Sequence, residues 1–264
     1  VINFNFQEGS GTTLKNTALG CDVTQFNSKE FDGSLKSNVY TNPLSSFQWV
    51  SGGRWGKYKK ALQFNGVDTY VEMPGTYALN FKPTDSFTLI AWVRFDRFQL
   101  GDPLYSKSWW SFTQPVNKTE AQYDLYYDGT SYGTGKGSGE FEVDIFQECF
   151  GWDKSDIDLS TSGWVQVALR FSGADNLNAT TYQNKTDVFV NGKKLANVRK
   201  TNNATALYDS SRSKCVLGGV PTDPAAWGST MRFVFQGRMD EFLMYKRALA
   251  DGEIKGNYDM GKEF

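Results

Sequence analysis

The chain is 264 residues long, with 26 glycines, 16% aromatic residues, no histidine and a formal net charge of -1. That length suits one large domain with a substantial core. The near-neutral balance argues against an electrostatic grip on nucleic acid, and the missing imidazole excludes serine and cysteine triads and histidine-ligated zinc.

In chain order, apolar and polar residues alternate with a period of two in "INFNF", "KALQFNG", "YVEM" and "FTLIAWVRF". The pattern continues through "YDLYY", "FEVDIF", "WVQVALRF", "DVFV", "KCVLGG", "MRFVFQG" and "MDEFLMY". Such runs, bounded by glycine and polar turns, predict antiparallel strands. The stretch 128–140, "DGTSYGTGKGSGE", joins two of them and is predicted as a hairpin loop. Its Gly135-Lys136 lacks the earlier glycine and the following Ser or Thr of a phosphate-binding loop. Asn191-Gly192, after "DVFV", predicts a two-residue hairpin turn with both residues at positive φ. The one helix predicted is short and C-terminal, in "LADGEIKGNY". The predicted fold class is all-β, a two-sheet antiparallel sandwich with a short C-terminal helix. No linker divides the chain, so residues 1–264 are expected to form a single domain. The longest apolar run, "FTLIAWVRF", is too short to cross a bilayer as a helix, so no membrane span is expected.

Starting at Val1 without a Met, the sequence is expected to be a processed chain or one whose ends were cut. Cys21, Cys149 and Cys215 allow one disulfide with one thiol left over, or none. Four glycosylation sequons begin at Asn117, Asn178, Asn184 and Asn203. All four fall in polar, turn-rich stretches that leave room for a glycan, and they predict a secreted or cell-surface glycoprotein.

The opening "FNFQEGSGTTLKNTALG" and the segment "GRWGKYKKALQFNGVDTYVEMPG" are followed in order by "SFTLIAWVRF", "SGWVQVALRF", "DVFVNGKKL", "CVLGG" and "FQGRMDEFLMYKRALADGEIKGNY". Together they resemble the laminin G-like branch of the concanavalin A-like jelly rolls over nearly the whole chain. The resemblance implies a jelly roll whose hollow face or loop rim binds sugars or proteins. It also implies kinship with laminarinase-type glucanases, which hydrolyse β-glucans. A structural calcium ion is implied between the N-terminal turn and the last long strand, with Glu8 and Asp240 as contributors. Carboxylate oxygens suit that hard ion, and the alternative for Asp240 is to accept backbone hydrogen bonds. Trp92 and Trp164 are implied to brace strands in the core, and Gly66 and Gly237 to permit close backbone approach.

The run "EFEVDIFQE", residues 140–148, bears on catalysis. The glucanases carry Glu-x-Asp-x-x-Glu or Glu-x-Asp-x-Glu on one strand, and Glu142 and Asp144 match the first two positions. Positions 146 and 147 are Phe and Gln, and an amide cannot move the catalytic proton. A bulge that brings Glu148 into the acid/base position is the alternative, giving a glycoside hydrolase of β-glucan-like polysaccharide. The expectation is instead a solvated or cation-touching outer face, and a chain that is not an enzyme. Trp109, Trp110, Trp152 and Trp227 lie in turn-rich stretches and are candidate platforms for a pyranose face. Asp153, Asp156 and Asp158 lack the glycine and terminal glutamate of an EF-hand calcium loop and are expected to serve turns. The function expected is an extracellular, non-catalytic module that binds or bears glycan, in adhesion or as a self-assembling subunit of a fibre or coat. Carbohydrate and further copies of the chain are the expected partners, the copies joining through an exposed edge strand or through the strand "VINFNF" adding to a neighbour's sheet.

Overall fold

The structure is a computed structural model that describes residues 2–18, 31–37, 47–73, 79–98, 101–107, 123–128, 140–146, 148–153, 159, 163–174, 179–196, 199–200, 214–221 and 231–262. The chain opens with β1 (Ile2–Phe4), β2 (Thr13–Leu14), β3 (Gly33–Ser37), β4 (Gln48–Gly53), β5 (Gly56–Asn65) and β6 (Thr69–Met73). Next come β7 (Phe87–Phe95), β8 (Asp102–Ser106), β9 (Tyr123–Asp128), β10 (Glu140–Ile145), β11 (Glu148–Asp153) and β12 (Val165–Phe171). A helix α1 (Ala179–Lys185) leads to β13 (Thr186–Val190), β14 (Lys193–Lys194), β15 (Arg199–Lys200), β16 (Cys215–Leu217) and β17 (Gly219–Pro221). Then follow β18 (Met231–Val234), β19 (Gln236–Tyr245) and α2 (Asp251–Gly261).

Among the described residues the strands form two antiparallel sheets and a β17–β18 ribbon. Sheet I runs β14-β13-β12-β7-β19-β5-β4, with β1 also on β19; sheet II runs β15-β11-β10-β9-β8-β16-β6-β3-β2. The alternation of the sequence decides which side of each strand is buried. Phe87, Leu89, Ala91, Val93 and Phe95 of β7 join Val165, Val167, Leu169 and Phe171 of β12 in the core. Sheet II contributes Tyr123, Leu125 and Tyr127 from β9 and Phe141, Val143 and Ile145 from β10 to that same core. Each large apolar side chain so buried stabilises the sandwich by about 1.5–3 kcal/mol before entropy is counted. The predicted hairpin turn is present, with Asn191 at φ 51° and Gly192 at φ 73°.

A second, smaller core lies on the outer face of sheet I. Ile90, Ala168, Phe189 and Leu243 point away from the sandwich and are covered by Leu249 and by Ile254 of α2. This explains why β7 is apolar at nearly every position, since helix and opposite sheet bury both of its faces.

Four features depart from the expectations. The predicted break between "MRFVFQG" and "MDEFLMY" falls elsewhere: β18 ends at Val234 and β19 is continuous from Gln236, with a bulge between Met239 and Glu241. Asp240 is the extra residue of that bulge, and it is fully buried beside inward Met239. Helix α1 was hidden because it has one apolar anchor and no periodic face; Tyr182 packs against Phe146 and Phe171 with ring centroids 5.7 and 6.1 Å apart. Strand β8, "DPLYS", carries a proline that argues against a strand, but Pro103 sits at a bulge, where a missing N–H is tolerated. Lastly, β1 is paired within its own sheet, Ile2 opposite Met244, and Ile2 and Phe4 are buried. The strand expected to join a neighbour's sheet is part of this chain's core. No described helix is long and apolar enough to cross a membrane.

Candidate functional site

Glu142 and Asp144 occupy alternate positions of β10 and share the outer face of sheet II, since Phe141, Val143 and Ile145 fill the core face. They are not solvated as expected: each is only 6% exposed. Tyr126, opposite Glu142 on β9, places its hydroxyl 2.6 Å from Glu142 Oε1 and 3.1 Å from Asp144 Oδ2. A phenol therefore bridges the two carboxylates. Asp144 also lies opposite Asp124, whose Oδ1 accepts the Lys107 backbone N–H at 2.8 Å. The bulge that would carry Glu148 into the strand is not formed. Strand β10 ends at Ile145, Phe146 turns with φ 47°, and Glu148 opens β11 opposite Ile145, whereas Glu142 faces Gly151.

Asp240 and Glu8, the two residues named for calcium, each accept a backbone N–H within the protein. Lys59 forms an ion pair with Asp240 Oδ1, and Asp240 Oδ2 accepts the Arg54 backbone N–H at 2.5 Å. Burial pushes the Asp240 carboxyl above its ordinary value, with the Lys59 ammonium pulling against it. Glu8 instead accepts the Lys15 backbone N–H at 2.8 Å. Around Asp240 the groups are donors, an ammonium and an amide, which do not fit a calcium ion needing six to eight oxygens. The backbone-accepting alternative describes Asp240 in this structure.

Trp152 is a correction. It belongs to β11, is 1% exposed and packs edge-on to Phe150 with centroids 6.3 Å apart, so it offers no platform. Trp109, Trp110, Trp227, Asn117, Asn178, Asn203, Asp156 and Asp158 lie outside the described residues. Asn184 is exposed, on α1 and not in a turn. Cys215 is a free, buried thiol.

A site that the sequence did not reveal opens on the outer face of sheet I. It is a cavity of about 390 Å³, within the range of small-molecule sites, between the β4–β5 hairpin, the sheet face and the last turn of α2. Trp92, Trp164 and Tyr258 supply aromatic walls, and Arg54, Arg94, Arg238 and Lys262 supply cations. Trp164, expected in the core, is instead only half-buried. Trp92 is buried, but on the outer side of β7, stacked 5.7 Å from Tyr258. The bulge at Asp240 sets the register, so that Arg238 lies opposite Arg94 and Glu241 opposite Trp92.

Arg54 turns the β4–β5 hairpin, with its guanidinium 4.8 Å from the ring centroids of both Trp55 and Trp92. Its Nη1 lies 2.9 Å from Glu241 Oε2, a contact outside hydrogen-bond geometry and therefore ionic. Lys262 pairs with Asp259 at 3.3 Å, and Arg238 Nε donates to the amide oxygen of Gln63 at 2.8 Å. Three residues of the lining carry a buried donor without a hydrogen-bond acceptor: Trp92 at Nε1, Arg94 at Nε and Arg54 at Nε. Glycines at 52, 53 and 56 leave the hairpin side of the cavity free of side-chain bulk. Arg94 and Arg238 sit at outward strand positions, where a sequence pattern shows only an ordinary solvated charge. Pairing across two strands is what makes them neighbours.

Residues 65–255 match a laminin G-like profile of the concanavalin A-like lectin/glucanases superfamily. The chain belongs to that superfamily. No curated protein matches it in sequence. Among solved structures, domain 4 of an extracellular arabinanase of glycoside hydrolase family 43 from Geobacillus stearothermophilus, in complex with arabinotriose, is 14% identical. The match has a TM-score of 0.54 and covers 97% of this chain and 96% of that one. Trypanosoma rangeli sialidase, in complex with 2,3-difluoro-KDN, is 16% identical with a TM-score of 0.57, over 100% of this chain and 33% of the sialidase. The binding domain of Paraclostridial Mosquitocidal Protein 1 is 14% identical with a TM-score of 0.51, over 98% of this chain and 52% of that one. At these identities the likeness is one of fold. It nevertheless corrects the expectation that the chain is not an enzyme. A similar fold occurs within an arabinanase and a sialidase as well as in a binding domain, so neither the fold nor one missing carboxylate pattern excludes catalysis.

Proposed function

We propose that this chain binds carbohydrate, and that it does so in the cavity between the β4–β5 hairpin, sheet I and the end of α2. The observation that carries the proposal is the lining: aromatic rings from Trp92, Trp164 and Tyr258 beside buried N–H donors without acceptors. A sugar ring asks for that combination, a flat apolar wall for its C–H face and fixed donors for its oxygens. Superfamily membership supports it, as does the likeness to an arabinanase domain solved with arabinotriose. An extracellular setting belongs to the same proposal, supported by the exposed sequon residue Asn184. Strand addition through β1 does not, because β1 is already paired.

Titration calorimetry of the chain against a panel of oligosaccharides tests the proposal. Trp164→Ala, at a half-buried wall position, is expected to weaken binding by about tenfold or more, roughly 1.4 kcal/mol, with the fold retained. Equal affinity of wild type and Trp164→Ala for every bound sugar would place the site elsewhere.

A further inference from the structure

We infer that the saccharide taken by this cavity is acidic, with a carboxylate or sulfate group seated between Arg94 and Arg238; the inference rests on the carbohydrate reading above. Adjacent antiparallel strands place directly opposite residues with Cβ atoms about 4.5–5.5 Å apart, and like charges in that arrangement destabilise the sheet. Arg94 and Arg238 are such a pair. The neighbouring carboxylates do not relieve it. Glu241 is engaged by Arg54, and Asp259 by Lys255 and Lys262. Arg238 has only the neutral amide of Gln63, which itself donates to Asp96 at 2.6 Å. Arg94 makes no ion pair among the described residues, and its Nε is buried without an acceptor.

Two further residues of the lining carry such a donor. Trp92, 2% exposed, has its indole N–H unpaired, and Arg54, 4% exposed, has Nε unpaired. A buried donor left without an acceptor costs about 1–3 kcal/mol, and three of them belong to residues of this one lining, which favours an acceptor-rich ligand. An oxyanion offers several acceptors at once, and paired guanidinium forks match its geometry. A neutral sugar would satisfy the donors but leave the two arginines facing each other. Only an anion answers both observations. The rings of Trp164 and Tyr258 give the rest of the sugar its wall, which separates this site from a bare anion site.

The test uses calorimetry on the full chain with oligogalacturonate, its carboxyl-reduced neutral counterpart, a sulfated tetrasaccharide and inorganic sulfate. The acidic saccharides are expected to bind about tenfold or more tightly than the neutral one and than free sulfate. R94Q and R238Q are each expected to weaken acidic-saccharide binding more than neutral-sugar binding and so to erase that preference, and R94K to retain part of it. Thermal melting supplies the second readout. R94Q removes a like-charge contact, so its Tm is expected to stay level or rise, whereas a purely structural arginine would lower it. Neutral sugar bound as tightly as acidic sugar overturns the inference and leaves the carbohydrate reading standing. Preference for acidic sugar that survives both R94Q and R238Q also overturns it, as does free sulfate binding as tightly as the saccharides. Failure of every saccharide to bind overturns both.

Discussion

Tyr126 lies between two carboxylates that share one strand face. Its hydroxyl reaches both Glu142 and Asp144, so Tyr126→Phe is expected to destabilise the fold by about 1–3 kcal/mol, read from urea unfolding. A similar logic applies at Asp240, where the protein supplies its own cation in Lys59. Neither added calcium nor a chelator is expected to move the melting temperature, and a calcium-dependent rise would show that Lys59 yields its place to a metal. Cys215 is buried beside Tyr105 and Tyr123, and burial pushes its thiol up despite the nearby Lys107. It is expected to resist iodoacetamide in the native state and to react on unfolding, since only the thiolate attacks. The glycine reading was sound at this scale. Gly66 adopts φ 70°, and a Cβ on Gly237 would overlap the Arg94 carbonyl oxygen.

Helix α2 is the element that builds the cavity, and both of its ends are fixed by named contacts. At its start Glu253 accepts the Ala250 backbone N–H at 2.9 Å and takes a bidentate pair from Arg247 at 2.6 and 2.8 Å. These contacts, led by the Arg247 hydrogen bonds, hold the Glu253 carboxyl down from 4.5 to about 2. A depressed folded value means the contribution is complete above the unfolded value and fades as pH falls from 4.5 towards 2. Hydrogen exchange of the α2 amides is expected to quicken across that window, and Glu253→Gln to remove the dependence. At the far end Gly261 lies so close to Arg54 and Trp92 that a Cβ would come within 2.7 Å of both. Gly261→Ala is expected to cost about 1–3 kcal/mol and to weaken ligand binding, because it displaces the cavity's own wall. Helix α2 was legible because "LADGEIKGNY" departs from the period-two alternation after the last strand, which is a local signal. Helix α1 was not, since one Tyr182 anchor leaves no periodic trace, and Asp240's bulge was not, since register depends on partners far away in sequence.

At the scale of the molecule, alternation was enough to place two sheets and one core, because a period of two leaves each strand a single buried face. It was misleading where a strand is covered on both sides. Trp92 and Trp164 were assigned to the interior, yet the former lies under α2 and the latter borders the cavity. The acidic run in β10 is legible in the sequence because its residues are close together along the chain. The arginine pair escaped because its members are 144 positions apart by residue number, at 94 and 238, and meet only through the β7–β19 pairing. The most direct test of where this protein holds its ligand is a nitrogen–proton correlation spectrum recorded while an acidic oligosaccharide is titrated in. Shifts are expected at the Trp92 indole N–H and at backbone amides around Arg94, Arg238 and Tyr258, with none at Tyr126. Shifts concentrated around Tyr126, Glu142 and Asp144, with the Trp92 indole unmoved, would contradict it and move the site to the opposite sheet.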